Sequence, residues 1–144
     1  MKSLKKVVLL LAILSSVSGC AVNRAEVLDQ NILANKKVVF VYGLEDPLKI
    51  KGSVDEGLTK LGYTVTEQKE KSELIADFKY KCYWDVIHYT CSEINFYLSD
   101  PKTKKIVLQS RYWGDNPFGP ETLVKDLFKK IESELQEKAV QPTH

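Results

Sequence analysis

The sequence is short of the side chains that do chemistry. It holds two histidines, His88 and His144, so the residue that most readily moves protons near neutral pH is scarce. His88 falls in a predicted tight turn, and His144 is the last residue. There is no Gly-x-Ser-x-Gly elbow, no P-loop and no His-Glu-x-x-His pair. Asp85 and Glu93 are candidate neighbours on a hairpin, but surface carboxylates there read as solvated. The segment "GDNPFG", 114 to 119, offers backbone amides to an anion, and reads more simply as a strand-to-helix connection. No catalytic constellation assembles, so the chain is not expected to be an enzyme. Cys-x-x-Cys is also missing. A zinc site needs three or four ligands, so neither a metal nor another cofactor is expected.

Long apolar runs are missing too. The longest, Val7 to Leu14, has eight residues, well short of the roughly 20 that cross a bilayer. It follows three lysines, Lys2, Lys5 and Lys6, and precedes Ser15, Ser16, Val17, Ser18 and Gly19. That charged, apolar, small-residue order is the layout of an export signal. An excess of basic charge is absent once those lysines are set aside. Residues 20 to 144 carry 18 basic and 19 acidic side chains, a net charge of −1. Nothing in that balance points to nucleic acid.

Val17-Ser18-Gly19-Cys20 resembles a lipobox: a branched apolar residue, two small ones, then cysteine. By resemblance to bacterial lipoproteins, residues 1 to 19 are a signal peptide. Cys20 then becomes the first residue of the mature chain and carries acyl groups, the firm anchoring that two or more chains provide. Residue 21 is Ala rather than the Asp that retains such proteins at the inner membrane, which implies outer-membrane placement with the domain in the periplasm. Residues 20 to 36 are expected to be the lipidated N-terminus and a short tether. Val27, Leu28, Ile32 and Leu33 are placed to form a helical turn that docks back on the domain.

Cys82 and Cys91 make an even pair in a chain that reads as exported, which favours a disulfide; two buried free thiols are the alternative. A hairpin centred on residues 85 to 88 sets the two cysteines opposite each other. That register sends Phe78 and Tyr80 against Asn95 and Glu93, and spoils the apolar face. A β-bulge near Ser92-Glu93 restores it, because one extra residue swaps the faces.

"KKVVFVYG", 36 to 43, reads as a buried strand. "SVDEGLTKLG" reads as a helix with Ser53 and Glu56 as a capping box and Gly62 as its stop. "YTVTEQ", 63 to 68, is a second strand, so the start is a β-α-β unit. Three more strands follow at 73–84, 89–100 and 105–114, and then a helix with Pro120 in its first turn. The fold class is α+β: a two-layer sandwich with a mostly antiparallel five-stranded sheet in the order β-α-β-β-β-β-α, and two helices on one face. The domain is expected over residues 37 to 138, with a disordered tail at 139 to 144. Tyr83, Tyr97 and Trp113 are candidate binding residues on the helix-free face, where aromatics often anchor partners; stiffening cross-strand pairs are the plain alternative.

The domain's motifs resemble small envelope lipoproteins of uncharacterised function: Ala76-Asp77 opening a strand, Trp84-Asp85 before a turn, then Tyr89, and a closing Asp100-Pro101-Lys102-Thr103 turn. The layout over residues 36 to 138 is also similar to the N-terminal domain of TolB and to lipoprotein activators of peptidoglycan synthases, without the latter's long linker. The resemblance implies a non-catalytic module, held to the membrane by its lipid, that binds another periplasmic or outer-membrane protein or serves envelope assembly. The other expectation is an accessory lipoprotein of a transport pathway that binds a small molecule or lipid, with an apolar cavity between the sheet and the last helix.

Overall fold

Alternating apolar residues build the sheet, and two helices lock its buried face. The computed structural model describes residues 21–43, 46–116 and 118–140. Along the chain these are β1 (Val22–Val27), α1 (Gln30–Asn35), β2 (Val38–Tyr42), α2 (Lys51–Lys60), β3 (Thr64–Thr66), β4 (Leu74–Trp84), β5 (Tyr89–Ser99), β6 (Ile106–Asn116) and α3 (Pro120–Val140). The signal-like segment and Cys20 lie outside the described residues, as do residues 141–144.

The class is α+β, with a six-stranded sheet in the order β1-β6-β5-β4-β2-β3. The expected five strands are corrected by β1, which pairs antiparallel with β6 from Val22↔Trp113 to Val27↔Leu108. The expected tether is therefore an edge strand followed by the short helix α1. The strand's sequence, Val-Asn-Arg-Ala-Glu-Val, is too polar to announce a strand by hydrophobicity. Pairing with β6 satisfies the backbone groups on that one side. The docking of residues 27 to 33 is half right: Leu33 of α1 is buried, but Leu28 is 47% exposed and Val27 belongs to β1. Asp29 caps α1 by accepting from the Ile32 N–H.

β2, α2 and β3 form the expected β-α-β unit, with β2 parallel to both β3 and β4. The β4–β5, β5–β6 and β6–β1 pairs are antiparallel. The capping box is not used. α2 starts two residues earlier than Ser53, because Asp46 reaches over the first turn and accepts from the N–H groups of Ile50 and Lys51 at 2.9 and 2.8 Å. Glu56 instead pairs with Lys60 at 2.6 Å. Gly62 ends the helix in the left-handed region, φ +86°. At the other end of the chain α3 runs on to Val140, two residues into the segment expected to be a disordered tail.

Val39, Val41, Leu74, Ala76, Ile94, Phe96, Leu98 and Leu108 point to the helices and are at most 3% exposed. Val54 and Leu58 of α2 and Leu123, Leu127 and Ile131 of α3 close over them, each at 1% or less. The Phe128 ring packs edge-on to Phe96 at 5.2 Å between centroids. α2 and α3 thus cover one face, as the periodicity requires, while α1 is a short third helix between β1 and β2.

Candidate functional site

Cys82 and Cys91 form the disulfide, with their Cα atoms 4.0 Å apart. The register steps from Lys81↔Glu93 to Cys82↔Cys91, so Ser92 is the extra residue. The bulge lies where the parity conflict demanded it. It sets Ile94, Phe96 and Leu98 into the core together with Cys91.

Strand register orders the opposite face of the sheet into rows. One row runs Lys81, Glu93, Trp113, Val22; the next Lys79, Asn95, Arg111, Arg24; the third Asp77, Tyr97, Gln109, Glu26. Tyr97 and Trp113 both lie on this face, Tyr97 half-buried and Trp113 59% exposed. They do not form one cluster, because the Asn95–Arg111 row separates them. Tyr83 shares the side of Lys81 by strand alternation, but stands beyond the bulge near the hairpin tip, 50% exposed.

Glu93 organises the middle of the face. Its carboxylate accepts from Lys81 at 2.8 Å, Asn95 at 2.9 Å and Arg111 at 3.1 Å. The Lys81 ammonium, then the Asn95 amide, hold its pKa down at about 2. Glu93 and Asp85 have separate sets of partners and share none. The Asp85 carboxylate closes the hairpin turn by accepting from the N–H groups of Ile87 and His88 and from the Thr90 hydroxyl. The His88 N–H and then the Thr90 hydroxyl lower its pKa.

Sequence reasoning missed Arg24 and Arg111. They are direct cross-strand partners, and like charges directly opposite destabilise a sheet. Arg111 reaches Glu93, whereas Arg24 forms no ion pair with a described residue. The two arginines, Val22 and Trp113 line a recess of about 410 Å³. The available signal was the alternation Val22, Arg24, Glu26, once residues 22–27 are read as a strand.

A second recess, about 660 Å³, lies where β2 stops and β4 runs on, and is bordered by Tyr42, Asp77, Lys79, Lys81 and Glu93. Of "GDNPFG", residues 114 to 116 are the end of β6 rather than a connection, and Asn116 accepts from the Phe118 N–H at 2.8 Å. Among the described residues no three His, Cys, Asp or Glu side chains gather to hold a metal. No described helix is long and apolar enough to cross a membrane.

No protein-family model and no curated protein matches the sequence. Solved structures do. A PelC dodecamer from Paraburkholderia phytofirmans is similar over 81% of this chain and 98% of its own, at 15% identity and a TM-score of 0.52. A DUF4136 family protein from Bacteroides thetaiotaomicron is similar over 83% and 96%, at 10% identity and a TM-score of 0.54. The fold is shared with small bacterial proteins. A PDZ domain protein from Parabacteroides distasonis carries it within a longer chain, with 84% of this chain matching 36% of that one at 11% identity and a TM-score of 0.52.

Proposed function

We propose that this chain is a lipoprotein anchored to the outer membrane through Cys20, and that its helix-free sheet face is a non-catalytic docking surface for another periplasmic or outer-membrane protein. The observation that carries the reading is the Arg24–Arg111 pair beside the exposed Trp113. Two arginines directly opposite each other on neighbouring strands oppose folding of the free chain, and the pairing of Arg111 with Glu93 offsets that only for Arg111. A partner carboxylate between them removes that cost and gains bidentate hydrogen bonds, while Trp113 supplies the apolar anchor typical of interface hot spots.

The small-molecule reading is the weaker one. The space between the sheet and α3 is filled by Phe96, Leu98, Leu127 and Ile131, each at most 1% exposed. The larger recess lies instead at a strand edge among charged side chains. PelC is a dodecamer, so a second copy of this chain counts among the protein partners.

The test is photo-crosslinking in intact cells. A photoreactive residue at Trp113 or Gln109 should give a discrete protein adduct, lost in Arg24→Glu, while one at Glu132 on the outer side of α3 gives none. Equal, diffuse labelling at all three positions contradicts the reading.

A further inference from the structure

Exposed apolar side chains are concentrated at one end of this sheet. Trp84, Val86, Ile87 and Tyr89 sit on the β4–β5 hairpin, with Val86 and Ile87 85% and 81% exposed. Trp113 and Phe118 lie at the end of β6 and just after it, 59% and 77% exposed. The register brings the hairpin and the end of β6 to this same end, because Cys91 pairs with Asn116 and Trp113 pairs with Val22, while Phe118 lies there on the α3 side beside Ala21 and Lys129. The start of β1 lies at this same end. Cys20 is two residues before Val22, and two residues span at most about 7 Å.

We infer that the disulfide-clamped hairpin tip is a membrane-inserting element, and that its occupant is the lipid leaflet that holds the Cys20 acyl chains. This rests on the lipoprotein reading of Cys20. The hairpin passes the last β5–β6 pair by about four residues per strand, roughly 10 Å allowing for the turn. Interfacial elements sink about 5–10 Å into the headgroup region. An anchor at the sheet end and a tip one such layer beyond it fit one flat surface.

The chemistry of the tip suits that layer. Trp84 and Tyr89 pack edge to face at 5.2 Å, and Trp and Tyr favour the membrane–water interface. The tip's one carboxylate, Asp85, is exposed but fully engaged within the turn, by the N–H groups of Ile87 and His88, the Thr90 hydroxyl and the His88 ring at 3.3 Å. The Cys82–Cys91 bridge closes the base of the hairpin, so the apolar tip is presented in one shape.

The chain has two tryptophans, Trp84 and Trp113, and they make the test direct. The described fold begins at Ala21, so a chain starting at Cys20 keeps all of it. With Cys82 and Cys91 bridged, the Cys20 thiol can be coupled to a maleimide lipid in phosphatidylethanolamine–phosphatidylglycerol vesicles. Trp113→Phe then reports Trp84, and Trp84→Phe reports Trp113. Trp84 should shift its emission to the blue and be quenched by bromine near the headgroup end of the acyl chains, more strongly than Trp113. Ile87→Glu, at an exposed position, should abolish the shift without loss of folding. Trp84 emission unchanged by brominated lipid overturns the inference, as does Trp113 quenched more than Trp84, which means the sheet face lies on the membrane. Because the lipid is attached chemically, the result is independent of natural acylation, which mass analysis of the cellular protein decides separately.

Discussion

Phe128 of α3 lies against Gly57 of α2: a Cβ built on Gly57 stands 2.5 Å from the Phe128 ring. The two helices meet at this point only because residue 57 has no side chain. Gly57→Ala should gain up to about 1 kcal/mol of helix propensity and lose about 1–3 kcal/mol to overpacking. The ring cannot yield easily, since it is buried and packed edge-on to Phe96. Urea unfolding should therefore show a lower midpoint, and a raised one contradicts the packing.

Asp46 ties the start of α2 to the sheet. Its Oδ1 accepts from the Ile50 N–H and from the Tyr80 hydroxyl at 2.9 Å, while that hydroxyl accepts from the Leu48 N–H. Asp46→Ala should cost about 1–3 kcal/mol, as loss of a helix cap and of partly buried hydrogen bonds does. Tyr80→Phe should cost about 1 kcal/mol. The double variant should cost less than their sum, because the two share a bond; additive losses in urea unfolding contradict the linkage.

Acid should weaken the fold through carboxylates held ionised. Glu93 is lowered from 4.5 to about 2 by Lys81 and Asn95. Asp100 is lowered by Lys36 and the Lys102 N–H, and Glu73 by the N–H groups of Lys37 and Val38. A depressed carboxyl binds fewer protons folded than unfolded, so its contribution is full above the unfolded value and is lost as pH falls through the folded one. For Glu93 that window runs from about 4.5 down to about 2. Stability measured by chemical unfolding should fall across it, and Glu93→Gln should flatten the slope. An unchanged slope in that variant contradicts the Glu93 network.

Much of this architecture was legible because burial imposes period. Leu74, Ala76 and Phe78, then Ile94, Phe96 and Leu98, mark the core side of β4 and β5, and their clash of parity with Cys91 located the bulge. Two features were hidden for physical reasons. β1 is a polar edge strand, specified by its pairing with β6 rather than by apolar residues, so its Arg24 went unnoticed as a neighbour of Arg111. The start of α2 is set by Asp46, four residues before Ile50, whereas Ser53-x-x-Glu56 offered a nearer cap that the chain does not use. Of the candidate aromatics, Tyr97 and Trp113 share the helix-free face, as strand alternation requires. Their separation by the arginine row depends on register, which one strand's sequence does not contain.

The Cys82–Cys91 bridge closes a short loop, for which chain entropy gives about 2–3 kcal/mol. Cys82→Ser with Cys91→Ser should lower stability by that amount in urea. Alkylation of the unreduced parent should modify neither Cys82 nor Cys91, and labelling of both in peptide mass spectra contradicts the bridge.

The proposed lipid attachment at residue 20 can be read by intact-mass analysis of the protein extracted from cell membranes. The chain should begin at Cys20 with diacylglycerol and acyl mass on that residue, and a Cys20→Ser variant should lose both the added mass and the membrane fraction. A chain that keeps residues 1–19, carries no added mass and remains soluble contradicts that attachment.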